Sequence, residues 1–209
     1  VVFYLQGKHY FTPHFIANVG FRYDLKYRPK ENLTALSPRL ALMYSLSEYL
    51  TLKLSYAESF SDLAIYYRYL FGDLFDMNPQ RLSALQFTAM GKASPLHLHY
   101  EVSVFYNHYK NFMQWVERDV AYHGELNIIN QGSLKNIGIE VTATYAYKRF
   151  SANLSLFHVH DISADYYYFN EAENKVNNVP HFTLNLHGAY KLVQNDKHEL
   201  KVYAHPYTT

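Results

Sequence analysis

Strict alternation of apolar and polar residues runs through almost the whole chain, and it limits the fold more than any other feature. In the stretch "LSPRLALMYSLSEYLTLKLSYAESF" (Leu36–Phe60), leucine or tyrosine occupies nearly every second position. Successive side chains of a β-strand point to opposite faces, so this pattern predicts strands with one apolar face. Helical periodicity is scarce, and the chain is therefore predicted to be nearly all β.

The alternation predicts ten strands, most of them as long as the roughly nine to eleven tilted residues that cross a bilayer. In chain order they are Val1–Gly7, His14–Lys26, Ser37–Leu46, Tyr49–Glu58, Gln80–Met90, Leu96–Lys110, Leu134–Tyr147, Phe150–His160, Pro180–Lys191 and Glu199–His205.

The connections between these strands are alternately short and long. The short ones are Lys8–Pro13, Ser47–Glu48, Gly91–Pro95, Lys148–Arg149 and Leu192–His198, and the long ones are Tyr27–Leu36, Ser59–Pro79, Asn111–Ser133 and Asp161–Val179. Alternation of this kind puts the tight turns on one rim of an up-and-down sheet and the long loops on the other. Short turns on one side and long loops on the other are typical of outer-membrane barrels.

Charged residues within the bodies of the strands, away from the strand ends, all share the parity opposite to the mostly apolar one. They are Arg22, Asp24, Arg39, Lys53, Glu101 and Glu140. An apolar lipid-facing side over a polar lumen requires this segregation, and we expect these six side chains to face the lumen. A soluble, half-buried sheet separates charge in the same way, so this pattern alone leaves both environments open.

The number and position of the aromatic residues favour a membrane environment over a soluble one. The chain has 22 Tyr and 14 Phe beside one Trp, and many of them fall near predicted strand ends. Those near the short turns are Tyr44, Tyr49, Tyr145, Tyr147, Phe150 and Tyr190, and those near the long loops are Tyr23, Tyr27, Tyr56, Phe60, Tyr106 and Tyr109. Two aromatic belts are typical of the interfacial girdles of a membrane barrel.

Composition and motifs argue against several classes of function. A formal net charge of +1 offers no basic excess for nucleic acid, and the absence of cysteine rules out disulfides, thiolate metal sites and cysteine nucleophiles. No Gly-x-Ser-x-Gly elbow, His-Glu-x-x-His helix or phosphate-binding glycine loop is present. The chain is not expected to be an enzyme, although a barrel enzyme with a triad drawn from separate strands would leave no local motif.

Aromatic and charged residues in the long loops are the candidates for ligand binding, because rings with a cation and carboxylates suit sugars, peptides or chelates. They are Tyr66, Tyr67, Arg68, Tyr69, Asp73 and Asp76 in the second long loop, Trp115 in the third, and Tyr166 and Tyr167 in the fourth. Loops that pack only on themselves are the alternative.

Two histidine pairs have the i, i+2 spacing that would project both rings from one face of a strand, namely His97 with His99 and His158 with His160. Ordinary lumen or interfacial histidines explain both pairs better than metal or haem binding. We therefore predict no metal site and no cofactor.

Six segments, in order, resemble the C-terminal part of the barrel domain of TonB-dependent outer-membrane receptors, most of all those of the Bacteroides type. They are "FIANVGFRYD", "LSPRLALMYSLSEYLTLKLSYAESF", "NPQRLSALQFTAMG", "LHYEVSVFYNHYKNFMQWV", "NQGSLKNIGIEVTATYAY" and "NNVPHFTLNLHGAY". The chain departs from many family members where "SFSDLAIYYRYL" replaces an Arg-Ala-Pro run after the "SF" position.

The resemblance implies an antiparallel transmembrane β-barrel of up-and-down topology with about 22 strands, of which this chain would supply roughly ten. Residues 1–209 would form part of that one barrel domain, with the plug domain and the N-terminus absent. The implied location is the outer membrane of a Gram-negative bacterium. The implied partners are the TonB complex, a small-molecule nutrient, the lipid bilayer and, as a further candidate, a surface lipoprotein.

The expected function is active uptake of a scarce nutrient such as an iron chelate, haem, cobalamin or a glycan. Three alternatives stay open at this stage. They are a passive porin or surface-binding barrel, a soluble lipocalin-like carrier, and a barrel enzyme of the outer-membrane phospholipase kind.

Overall fold

The computed structural model is an antiparallel β-structure, as the alternation predicts. It describes residues 1–27, 33–62, 78–111, 113–117, 126–130, 132–165, 169–170, 175–176, 180–194 and 199–208. Its strands are β1 (Val2–Tyr10), β2 (Phe15–Lys26), β3 (Leu33–Ser47), β4 (Leu50–Ser61), β5 (Gln80–Ala93), β6 (Leu98–Lys110), β7 (Met113–Glu117), β8 (Leu126–Asn130), β9 (Ser133–Tyr147), β10 (Phe150–Asp165), β11 (Phe169–Asn170), β12 (Lys175–Val176), β13 (Phe182–Gln194), β14 (Glu199–Ala204) and β15 (Tyr207–Thr208).

Ten of these strands form one sheet in the order β1-β2-β3-β4-β5-β6-β9-β10-β13-β14, and β15 continues beside β13. Every neighbouring pair is antiparallel and every long strand pairs with the next long strand along the chain. The prediction of an all-β, antiparallel, up-and-down sheet of about ten strands is confirmed. The sheet is open within the described residues, with β1 at one edge and β14 at the other.

The sheet has two unlike rims, as the connection lengths predict. The short-turn rim carries the connections 11–14, 48–49, 94–97 and 148–149, and the long-loop rim carries the connections that follow β2, β4, β6 and β10. A short 3₁₀ turn, Ser94–Leu96, closes the hairpin between β5 and β6.

Several predicted boundaries are wrong by a few residues. β1 ends at Tyr10 rather than Gly7, and β10 runs on to Asp165 rather than ending at His160. In both places the backbone continues its ladder of hydrogen bonds with a neighbouring strand. Such pairing decides where a strand ends, and a single sequence does not reveal it.

Two of the long connections contain β-structure that the alternation did not predict. β7 pairs with β8 inside the third long connection, and β11 pairs with β12 inside the fourth. These are small two-stranded sheets separate from the main sheet.

Pro38 shows how the sheet accommodates a residue without a backbone N–H. It lies opposite Phe21 of β2, and the ladder with β4 begins only at the next residue, Arg39. Proline is otherwise confined to edges and bulges because it cannot donate to a ladder. Because β4 pairs with β3 only from Arg39 onward, the ladder with β4 requires no N–H from Pro38.

Within the described ranges, the sheet has no large hydrophobic core of its own. Its buried apolar side chains are few and mostly small, namely Ala17, Leu33, Ala35, Val159 and Ala189. The accessible surface is 14416 Å², whereas a compact monomer of this mass would expose roughly 10,000 Å². The ladders hold the sheet together, and both faces are left to contact other material.

Candidate functional site

The register places the six charged strand residues on one side of the sheet. Residues directly opposite one another on neighbouring strands project from the same face. Five such pairs connect neighbouring strands from β2 to β9 on this side of the sheet, namely Gly20–Arg39, Met43–Lys53, Lys53–Thr88, Thr88–Ser103 and Ser103–Glu140. We call this side the polar face, defined by Arg22, Asp24, Arg39, Lys53, Glu101 and Glu140.

Hydroxyl groups on the polar face pair with each other across neighbouring strands. The Oγ1 of Thr88 and the Oγ of Ser103 are 2.9 Å apart, and both residues are almost fully buried. Nearer the short-turn rim, the Oγ of Ser45 lies 3.2 Å from the Oγ1 of Thr51. Burying a hydroxyl is unfavourable unless it is hydrogen-bonded, so these pairs allow small polar residues to line this face.

Arg22 and Asp24 form an ion pair near the long-loop rim. The Arg22 Nη2 donates to Asp24 Oδ1 at 2.7 Å, and its Nε lies 2.7 Å from Oδ2. The Asp24 side chain is almost wholly buried, while that of Arg22 is nearly half exposed. One hydrogen bond and one further close contact from the same guanidinium give the buried carboxylate a cationic partner.

A second buried carboxylate lies where the last long connection, between β10 and β13, meets the sheet. Asp161 is 2% exposed, and its Oδ2 lies 2.8 Å from the Nε2 of His181. The carbonyl of His181 accepts the backbone N–H of Val159 at 2.9 Å, and the Nδ1 of His158 lies 2.9 Å from the same oxygen. Sequence analysis missed this cluster, because the two partners are 20 residues apart and share no motif.

A depression of about 590 Å³ lies against the first five strands. Its lining includes Gln6, Asn18, Arg39 and Lys53 of the polar face, and none of the described residues that line it carries a carboxylate. The lining mixes apolar side chains with the two cations Arg39 and Lys53, which can donate hydrogen bonds to water or to a partner that carries acceptor groups.

The opposite side of the sheet is apolar and open, and we call it the apolar face. Its large exposed residues include Val19, Phe21, Leu36, Leu40, Tyr44, Leu54, Leu85, Phe87, Val104, Ile137, Tyr147, Phe150, Phe182, Leu186 and Tyr190. The register joins them laterally, with Leu54 opposite Phe87 and Phe87 opposite Val104. A continuous apolar surface of this extent marks contact with lipid or with another protein.

The predicted ligand-binding residues of the loops fall mostly outside the described residues. This is so for Tyr66, Tyr67, Arg68, Tyr69, Asp73 and Asp76, and for Tyr166 and Tyr167. Trp115 belongs to β7, where its backbone lies opposite Ile128 of β8. The role of all nine residues stays a prediction.

The structure corrects the expected geometry of His97 and His99. His97 is not on a strand, because it ends the 3₁₀ turn with a left-handed backbone (φ 50°), and β6 begins one residue later. Its ring stacks on Tyr147 with the centroids 4.5 Å apart, whereas His99 lies opposite Thr144 in the ladder. The two rings therefore lack the i, i+2 strand geometry that would let them chelate an ion together.

His158 and His160 do lie on one strand, β10, in the apolar-face parity. His158 already contacts the carbonyl of His181. Among the described residues, no group of three or more His, Cys, Asp or Glu side chains could hold a metal ion.

No helix within the described residues is long and apolar enough to cross a membrane. The open sheet, its two contrasting faces and its two unlike rims define a wall segment of an outer-membrane type of β-barrel.

A family model described as "TonB dependent receptor-like, beta-barrel" matches residues 1–204. The chain belongs to this family. No curated protein matches the sequence. The match confirms the TonB-dependent receptor resemblance, while the Bacteroides type stays a prediction.

Solved structures of this kind share the fold. The FrpB iron transporter from Neisseria meningitidis (F3-3 variant) is 15% identical, with a TM-score of 0.70 over 99% of this chain and 32% of its own. The siderophore receptor PiuA from Acinetobacter baumannii is 14% identical, with a TM-score of 0.71 over 92% of this chain and 31% of its own. The alcaligin outer membrane receptor FauA from Bordetella pertussis is 15% identical, with a TM-score of 0.62 over 97% of this chain and 36% of its own.

The chain thus spans about a third of the length of these solved chains. The family and these structures are receptors and transporters rather than enzymes, in agreement with the expectation from the motifs.

Proposed function

We propose that this chain is part of the barrel wall of a TonB-dependent transporter that takes up a scarce nutrient across the outer membrane of a Gram-negative bacterium. The observation that carries the proposal is the division of the sheet into a polar face bearing the strand charges and an apolar face of exposed large residues. The family match supports it.

In this proposal the apolar face contacts lipid, and Arg22, Asp24, Arg39, Lys53, Glu101 and Glu140 face the lumen. A charged side chain at the centre of a bilayer is strongly unfavourable, which favours this orientation over the reverse. The buried hydroxyl pair and the two cations that line the depression suit a lumen that holds water and protein.

Further strands must complete the barrel, because unpaired strand edges are not tolerated in lipid. β1 and β14 are the two edges of the described sheet. We propose that residues 1–209 form part of one barrel domain of about 22 strands, and that another region of the protein supplies the plug inside it.

The long-loop rim would face outward and contact the nutrient through its loops, with Tyr66, Tyr67, Arg68, Tyr69, Asp73, Asp76, Trp115, Tyr166 and Tyr167 as candidate contacts. The TonB complex would engage the protein from the periplasmic side. A surface lipoprotein would meet the long-loop rim. Candidate nutrients are an iron chelate, haem, cobalamin or a glycan.

Growth of a deletion strain on single sources of these nutrients tests the proposal. We expect a defect on one source that the full-length gene restores, and we expect uptake to stop when the proton gradient is dissipated. A strain that lacks TonB should show the same defect on that source.

A passive porin is the alternative that this experiment separates most clearly. Uptake that persists without a proton gradient or without TonB would show a passive channel and would overturn the proposal of active transport. Hydrolysis of phospholipid by the purified full-length protein would instead support a barrel enzyme.

A further inference from the structure

We propose that the apolar face at the short-turn rim binds the headgroup of an anionic phospholipid around the turn between β9 and β10. This inference rests on the proposed membrane location. It concerns a different face and a different rim from those proposed for nutrient uptake.

Two adjacent cations form the centre of the proposed site. Lys148 has a left-handed backbone (φ 52°), and its Nζ lies 4.9 Å from the ring centroid of Tyr147. An Nη of Arg149 donates to the carbonyl of Leu192 at 3.3 Å, and the carbonyl of Arg149 accepts the N–H of Lys191 at 2.8 Å. The Arg149 guanidinium is thereby held at the rim while most of its five N–H donors remain available.

Neither cation is neutralised within the part of the chain that the structure describes. The ion pairs recorded there are Arg22–Asp24, Lys26–Asp62 and Asp161–His181, and none includes Lys148 or Arg149. Both side chains are exposed. The turn therefore presents two positive charges to whatever lies beside it.

Aromatic rings form an apolar wall next to these charges. Tyr147, Phe150 and Tyr190 lie side by side in the register of β9, β10 and β13 and are 41%, 44% and 46% exposed. His97, at the end of the neighbouring 3₁₀ turn, stacks on Tyr147. Rings with one dry side and one wet side favour the boundary between acyl chains and headgroups.

The two positive charges of the turn and the apolar surface that adjoins it together indicate which molecule binds here. A guanidinium and an ammonium at one turn match a phosphodiester, with Arg149 able to donate two parallel hydrogen bonds. The wall continues into the apolar face through Leu186, so the acyl chains of the same molecule would lie against that face. A soluble phosphate would use the cations but would leave the aromatic wall in water.

The test uses the full-length receptor in nanodiscs that contain a mixture of phosphatidylglycerol and phosphatidylcholine. Native mass spectrometry then counts the molecules of each lipid that the released protein retains. A basic side chain near an anionic membrane surface contributes about fivefold in affinity. We therefore expect the K148Q/R149Q double variant to lower retention of phosphatidylglycerol at this site by roughly thirtyfold and to leave retention of phosphatidylcholine unchanged.

The matched control is Lys110→Gln, which removes an exposed lysine of β6 at the long-loop rim. An equal loss in this control, or full retention of phosphatidylglycerol by the double variant, would overturn the inference. Displacement of the lipid by millimolar inorganic phosphate would identify a soluble anion site and would overturn it too.

Membrane fractionation of cells that produce the same variants keeps this inference separate from the proposed function. A receptor absent from the outer membrane would refute the proposed location itself. A receptor that is present and active in uptake but has no preference for phosphatidylglycerol would refute only the headgroup site.

Discussion

Replacement of Leu54 by Arg tests the assignment of the two faces most directly. Leu54 lies on the apolar face, opposite Leu42 of β3 and Phe87 of β5, and 44% of it is exposed. Full burial of a leucine contributes about 1.5 to 3 kcal/mol, so the exposed part gains about 0.7 to 1.3 kcal/mol on transfer to lipid.

An arginine in this position would lose that gain and add a penalty of about 2 to 4 kcal/mol for a cation near the bilayer midplane. The sum is a loss of roughly 3 to 5 kcal/mol in the free energy of folding into the membrane, or a more than hundredfold change in the folding equilibrium. Leu54→Ala should lose only about 1 kcal/mol, because it removes the apolar gain without adding charge.

The assay is reversible urea unfolding of the full-length receptor in lipid vesicles, followed by the electrophoretic shift between folded and unfolded barrel. Lys53→Leu is the matched control, because Lys53 is the adjacent residue on the polar face. Its effect should stay below about 1 kcal/mol. If Lys53→Leu were as damaging as Leu54→Arg, or if Leu54→Arg folded normally, the two faces would be assigned the wrong way round.

Two further substitutions test local geometry in the same unfolding assay. A Cβ at Gly91 would lie 1.9 Å from the backbone oxygen of Tyr49. Gly91→Ala should therefore lower the free energy of unfolding by more than about 1 kcal/mol. Gly7→Ala is the control and should cause no such loss, because the space around Gly7 is open. Equal stability of the two variants would contradict this. Arg22→Gln leaves the buried Asp24 carboxylate without its cation, so it should destabilise the barrel more than Asp24→Asn does. A greater loss of stability in Asp24→Asn would refute the asymmetric burial of the pair.

Most of the sheet could be predicted from the sequence, because the signals that define it are local. The side-chain period of a strand is two, so apolar Leu40, Leu42 and Leu54 and charged Arg39 and Lys53 reveal their faces without any tertiary information. The lengths of the connections depend only on where the alternation stops. This is why the ten main strands and their order were predicted correctly, while several of their ends were not.

The histidines show where such reasoning fails. His97 and His99 have strand spacing, but Pro95 lies in the 3₁₀ turn that ends at His97 with a left-handed backbone. Parity applies only while the chain stays extended, so one turn residue is enough to separate the two rings. The hairpins within the long loops escaped prediction because short strands carry too few residues for a periodic signal.

The sequence by itself determined the strand content, the up-and-down order, the two unlike rims and the separation of charge from apolar surface, since each follows from a pattern of period two or from the length of a connection. Only the tertiary structure decided which distant residues meet. Asp161 reaches His181 across the last long connection, and Thr88 reaches Ser103 across a hairpin. Such contacts depend on register and on the bulge after Asp161, which arise from pairing between strands.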